Sequence, residues 1–131
     1  MTSKPPPDPR FRWQNRLRSF VYAGRGLAWL FKTQHNAWLH LVAAVGAIGA
    51  GFYFGLSAVE WALVAGVIGA VLAAEAFNTA LELLVDFISP EYHPLAGRIK
   101  DVAAGAVLLT AGAAVVVGVL VFGPKLMAWL A

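Results

Sequence analysis

Residues 102–124 run for 23 positions without a charged side chain, and residues 37–56, "AWLHLVAAVGAIGAGFYFGL", run for 20. A helix crosses the hydrocarbon of a bilayer with about 20 predominantly apolar residues, so both segments read as transmembrane spans. Composition agrees: the 131 residues are 60% hydrophobic and 13% charged, against roughly 45–50% and about 25% in an average soluble domain. The chain holds no cysteine, which excludes disulfides and thiolate metal sites. A chain this short, with few spans, encloses little of a large site by itself, and self-association is expected.

The basic residues set the orientation. Lys4, Arg10, Arg12, Arg16, Arg18, Arg25 and Lys32 all precede the first long apolar run, and none follows until Arg98. A secretory leader would start its apolar core soon after a short basic region. Here the apolar run starts near Ala37, so the N-terminus is read as mature and cytoplasmic, the chain lying in the bacterial inner membrane. Residues 1–10, "MTSKPPPDPR", form a polar, proline-rich tail with no apolar face to bury. Residues 11–131 are read as one membrane domain.

From Phe11 onward, Trp13, Leu17, Phe20, Val21, Leu27 and Phe31 recur at helical spacing, with Arg12, Arg18, Arg25 and Lys32 off their stripe. This predicts an amphipathic helix over 11–33 lying in the cytoplasmic interface. Spans follow at about 37–56, 58–88 and 100–123. "GLSAVEW" (55–61) forms an outside turn, and "SPEYHPLAGR" (89–98), with two prolines and a glycine, forms a cytoplasmic loop. The fold class is all-α: an interfacial helix and three transmembrane helices.

The second span ends unusually. "EAFNTALELLVD" (75–86) carries Glu75, Asn78, Glu82 and Asp86. At 100° per residue Asn78 lies near −60°, Glu82 near −20° and Asp86 near +20° from Glu75, all approximate angles on one face. A carboxylate inside a span costs at least about 2.5 kcal/mol and is kept where it meets protein, water or an ion. Asp86 reads equally well as a solvated carboxylate at the helix end. Glu75 with Asn78, deeper on the same face, reads as functional. Across the loop, "RIKD" (98–101) adds Lys100 and Asp101, which point about 100° apart. Lys100 alone would pass for a snorkelling interface lysine, but this pair and the carboxylate stripe reach the same interface.

Carboxylates able to hold Mg²⁺, a lysine able to meet phosphate and a deeper carboxylate able to take a proton are the components of phosphoryl transfer. An aqueous nucleotide would there meet a membrane-embedded hydroxyl. The chain has no G-x-x-x-x-G-K phosphate loop, and "AGRGLA" (23–28) is not a kinase glycine loop. A proton-coupled transporter using Glu75 as relay is the alternative, though it leaves Lys100, Asp101 and the loop without a role. A non-catalytic oligomeric scaffold is a third reading. Nucleic acid is not expected as a partner.

"EAFNTALELLVD", "SPEYHPLAGR" and "KDVAAGAVLL" (100–109) together closely resemble the prokaryotic diacylglycerol kinase family, which includes undecaprenol kinases. The resemblance covers nearly the whole chain after the tail. It implies a homotrimer with active sites shared between subunits, phosphorylating a lipid hydroxyl with ATP and Mg²⁺. It makes Glu75 the general base, with Asn78 beside it, and Glu82 a metal ligand that also contacts ATP. Lys100 and Asp101 would bind ATP, Glu91, Tyr92 and His93 would lie against it from the loop, and Tyr22 would reach it from the interfacial helix. Two positions depart from the family pattern. Gln34 stands where a second metal-binding glutamate is usual, offering a carbonyl without charge. Asn15 stands where an early basic residue meets the nucleotide, with Arg16 and Arg18 as candidate replacements. His40 reads as a packed or hydrogen-bonded histidine. The loop and third-span wording is nearer to the undecaprenol kinase branch.

Overall fold

A computed structural model describes residues 13–131. The tail at 1–10, the predicted helix start at 11 and 12, and the side chain of Asn15 lie outside the described residues. Four helices follow one another: α1 (Trp13–Thr33), α2 (His35–Phe54), α3 (Ala58–Ile88) and α4 (Pro94–Leu130). The last three are long and apolar enough to cross a membrane.

Each span turns a regular stripe inward. In α2 the buried and half-buried positions include Ala37, His40, Ala44, Ala47, Gly51 and Phe54, alternating steps of three and four. In α3 Trp61, Val64, Ile68, Val71, Glu75, Asn78 and Glu82 follow the same rule, as do Lys100, Ala103, Val107, Thr110, Ala114, Val117 and Val121 in α4. That average period of 3.5 residues keeps one seam of each helix against its neighbours, as in left-handed helix pairs. The stripe of α3 changes chemistry along its length. It is apolar through Val71 and polar from Glu75 onward, so the packing seam itself becomes the polar site.

The apolar part is the better pinned. Leu56, Val64 and Val121 are buried together, with Trp61 and Phe122 packed on them. Ser57 caps α3 by accepting from the Glu60 N–H, while Glu60 Oε2 accepts from the Ser57 N–H at 2.7 Å, a reciprocal arrangement that satisfies two donors at the helix start. The other Glu60 oxygen meets Lys125 Nζ at 3.1 Å, tying α3 to α4.

This pairing lies where the structure differs from the expected third span. α4 does not stop near residue 123 but runs through Pro124 to Leu130, and Lys125 pairs with Glu60 of α3 just past that proline. Its start is also earlier than a loop over 89–98 allows. Pro94 occupies the first helical turn, where its missing N–H leaves no bond unmade, and His93 Nδ1 accepts from the Leu95 N–H at 3.2 Å as the cap.

Two tight places shape the bundle. Gly55 caps α2 at φ 63°, with its N–H returning to the helix carbonyls, a left-handed conformation that glycine adopts without strain. Gly51 lies under Trp61: a Cβ there would stand 2.7 Å from the indole Cη2 and 3.0 Å from Leu56 Cδ1. The indole cannot easily retreat, since its ring packs on Phe52 with centroids 4.9 Å apart. Gly51→Ala is therefore expected to destabilise the protein by about 1–3 kcal/mol, the usual cost of overpacking. Gly49→Ala, with nothing within 4 Å of its Cβ, should leave the thermal midpoint in micelles unchanged. Equal midpoints for the two variants would contradict the close α2–α3 approach.

Candidate active site

Glu75 is 2% exposed, Asn78 8% and Thr79 3%, the only buried polar side chains among the described residues. They owe their burial to the inward stripe of α3. Phe77 and Leu84, on other faces of the same helix, are exposed. One turn beyond Asn78, Glu82 is half-buried, and Asn78 Nδ2 donates to Glu82 Oε1 at 3.0 Å. That bond aims the amide so that Asn78 Oδ1 is left buried with no partner among the described residues. A carboxylate and an unpaired amide oxygen thus lie side by side, one turn apart on one helix.

Asp86 and Lys100 settle a point that the sequence left open. Asp86 is exposed at the end of α3, yet its Oδ1 forms an ion pair with Lys100 Nζ across the α3–α4 turn. Asp86 is a paired carboxylate and not merely a solvated one, and Lys100 is held beside the acidic stripe. Asp101, next along α4, is exposed.

The remaining predicted site residues stand apart. Glu91, Tyr92 and His93 are exposed in the connection between α3 and α4. There the Ser89 hydroxyl donates to the Glu91 carbonyl at 3.1 Å, and His93 serves as the α4 cap, a role that the sequence reading missed. Tyr22 is exposed on α1. Gln34 is the single residue between α1 and α2, half-buried, and its side chain does not cap α2.

The junction around Gln34 is firmly built. The Gln34 N–H donates to the Leu30 carbonyl at 2.9 Å, the Trp38 indole N–H donates to the Phe31 carbonyl at 2.6 Å, and Leu30 and Ala37 are buried on either side. Gln34, Tyr22 and Glu91 share no hydrogen bond or ion pair with Glu75, Asn78 or Glu82 among the described residues. Nor do the described residues gather three or more His, Cys, Asp or Glu side chains to hold a metal.

Thr79 is the other residue that the sequence reading passed over. Its hydroxyl is buried and has no partner among the described residues. The available signal was its position one turn from Glu75, on the neighbouring row of the same helix.

The donor set suits a hard cation. Glu82 and the free Asn78 Oδ1 are oxygens, and Mg²⁺ is commonly held by one or two carboxylates and the phosphates of a substrate, without an all-protein cage. The deeper Glu75 is buried two turns from Glu82 along the same helix.

Comparison with known proteins identifies the family. The family model for prokaryotic diacylglycerol kinase matches residues 21–122. The chain is similar to the undecaprenol kinase of Bacillus subtilis, 40% identical over 119 residues that cover 91% of this chain and 97% of that one. It is also similar to the diacylglycerol kinase of Synechocystis sp., 43% identical over 119 residues covering 88% and 68% respectively. With the diacylglycerol kinase of Escherichia coli it shares 28% over 109 residues, 78% and 89% of the two chains. All three relatives carry the names of lipid kinases. With a family model spanning most of its length and a site of carboxylates set in a membrane helix, this chain belongs to the prokaryotic diacylglycerol kinase family.

Proposed function

We propose that this protein transfers the γ-phosphoryl group of ATP to the primary hydroxyl of a membrane lipid, diacylglycerol or undecaprenol, with Glu75 as general base. The observation that carries the reading is the burial of Glu75 where the seam of a membrane-length helix turns from apolar to polar. A carboxylate costly to place in a span is kept where it has work with protein, water or an ion. In the reaction the lipid oxygen bonds to the γ-phosphorus and the bond from that phosphorus to the β,γ-bridging oxygen breaks. ADP departs with that electron pair, and Glu75 takes the lipid proton.

Glu82, with Asn78 Oδ1 beside it, would hold Mg²⁺ together with the nucleotide phosphates, and Gln34 would add a neutral oxygen. The ion, when bound, neutralises charge on the phosphates. Lys100 would exchange Asp86 for a phosphate oxygen. Asp101, Tyr22, Glu91, Tyr92 and His93 would contact the nucleotide from α4, α1 and the connection.

A homotrimer with shared sites fits the exposed faces. Only 17%, 17% and 6% of the three span windows are buried within one chain, and Gly46, Gly66, Gly69, Gly105 and Gly112 have open space where a Cβ would be. Small residues of this kind allow helices to associate where lipid supplies no hydrophobic drive. α1, with Trp13, Leu17 and Phe20 exposed, would lie in the cytoplasmic interface of the inner membrane, and the basic residues near it would keep the N-terminus inside. A proton-coupled transporter would need Glu75 alone and gives no role to the Glu82–Asn78 pair or to Lys100.

The test is an assay of the purified full chain in mixed micelles, with ATP and Mg²⁺, offered diacylglycerol and undecaprenol side by side. One of the two lipids should gain phosphate, and chelation of Mg²⁺ should abolish the transfer. No phosphate on either lipid would refute the assignment.

A further inference from the structure

Of the threonines among the described residues, two satisfy themselves in the usual helical manner. Thr33 Oγ1 donates to the Trp29 carbonyl at 3.0 Å, and Thr110 Oγ1 donates to the carbonyls of Ala106 and Val107 at 3.1 and 2.9 Å. Each hydroxyl is turned back on its own helix, the local bond open to any helical threonine. Thr79 forgoes it. Its hydroxyl is 97% buried with the rest of the residue and has no partner, a condition that costs free energy unless something fills it.

Thr79 is among the residues at the wall of a cavity of about 350 Å³ between α1 and α3. Ala23, Gly26, Leu27 and Leu30 line it from α1, and Ala76, Ala80 and Leu83 from α3. Thr79 contributes the one hydroxyl. On the helix wheel Ala76, Ala80 and Leu83 lie about 80° to 140° from Glu75, while Thr79 lies only about 40° away. Thr79 therefore stands at the edge where the apolar cavity meets the carboxylate stripe. Residues four apart on a helix have their Cβ atoms about 5–6 Å apart, a separation that a single oxygen atom can bridge by one hydrogen bond to each side chain.

We infer that Thr79 positions the acceptor alcohol: its hydroxyl donates to the oxygen of the incoming lipid while that oxygen presents its proton to Glu75, and the apolar cavity takes the adjoining chain. The ligand chemistry is a primary alcohol on a long apolar body. A more polar molecule would find only the Thr79 hydroxyl and the Trp29 indole N–H among otherwise apolar side chains. The inference rests on the proposed base role of Glu75 and extends it to a second side chain.

The experiment compares Thr79→Val, which keeps the shape and removes the hydroxyl, with Thr79→Ser, which keeps the hydroxyl. Initial rates are measured in micelles against the mole fraction of whichever alcohol, dioleoylglycerol or undecaprenol, the wild type phosphorylates. Thr79→Val should lower kcat/KM for the lipid about tenfold, the effect of one neutral hydrogen bond. Its KM for ATP should not change, its thermal midpoint should be equal or higher because a buried unpaired hydroxyl is gone, and Thr79→Ser should stay near wild type. Lipid kinetics unchanged in Thr79→Val while Glu75→Gln is inactive would overturn the role of Thr79 and leave the kinase reading standing. Normal turnover by both Thr79→Val and Glu75→Gln would remove the base assignment and this inference together.

Discussion

Glu75→Gln is expected to lower kcat for lipid phosphorylation by about 10² to 10⁴, the usual contribution of a positioned general base. The amide is nearly the same size, so the seam between α3 and α4 should close around it as before. Because the glutamine carries no charge into the buried position, the thermal midpoint should hold or rise. KM for ATP should be unaffected, since Glu75 lies two turns from Glu82 along α3. These three readouts separate a missing proton acceptor from a damaged fold. A variant that turns over at near-normal rates would remove Glu75 as the base, and one that loses its midpoint as well as its activity would reduce it to a packing element.

Lys100→Ala has the second largest expected effect, and its partner supplies the contrast. A hydrogen bond to a charged group is worth about 1.5–3 kcal/mol, so losing the contact between Lys100 and a phosphate should lower kcat/KM for ATP by about 10- to 150-fold. The Asp86–Lys100 pair is another matter. The side chains are 63% and 36% exposed, and ion pairs in such positions contribute about 0–1 kcal/mol. A nucleotide phosphate should therefore displace Asp86 readily, and Asp86→Asn should change kcat/KM for ATP by no more than about fivefold. Equal losses in the two variants would mean that the ion pair, and not the lysine, is what the enzyme needs.

The helices were legible in the sequence because membrane spans announce themselves by length and lack of charge. The second span is bounded by Ser57, whose capping box with Glu60 marks its start, and by Pro90 shortly after its end. The extent of α4 was not legible. Pro94, read as part of the loop, starts the helix, and Pro124, just past the expected end of the span, lies within it. The side chains that meet α4 near those prolines are His93 and Glu60, the latter more than sixty residues away from Lys125.

The site shows the same division. The common face of Glu75, Asn78 and Glu82 followed from helical spacing alone. The unpaired oxygens of Asn78 and Thr79 depend on which rotamer the surroundings permit, and no periodicity records that. The pairing of Asp86 with Lys100 depends on how α3 turns into α4. Gln34 was visible as a departure from the family pattern, and the structure adds that its junction is rigidly held by Leu30 and Trp38.

The two ion pairs that join α3 to α4 also act as a gauge of bilayer thickness. Glu60 and Asp86 are 26 residues apart on one helix, about 39 Å at 1.5 Å per residue. That span exceeds a hydrocarbon core of about 30 Å and falls just short of the about 40–45 Å of a whole bilayer. Each pair can thus sit among headgroups, and the hairpin cannot slide through the membrane without drawing one of them into oil. Glu75 is thereby held at a fixed depth, about 16 Å along α3 from Asp86. If Glu75 is the base proposed above, an alcohol floating at headgroup level would have to sink toward it, or the surrounding lipid would have to thin, before its proton could be taken.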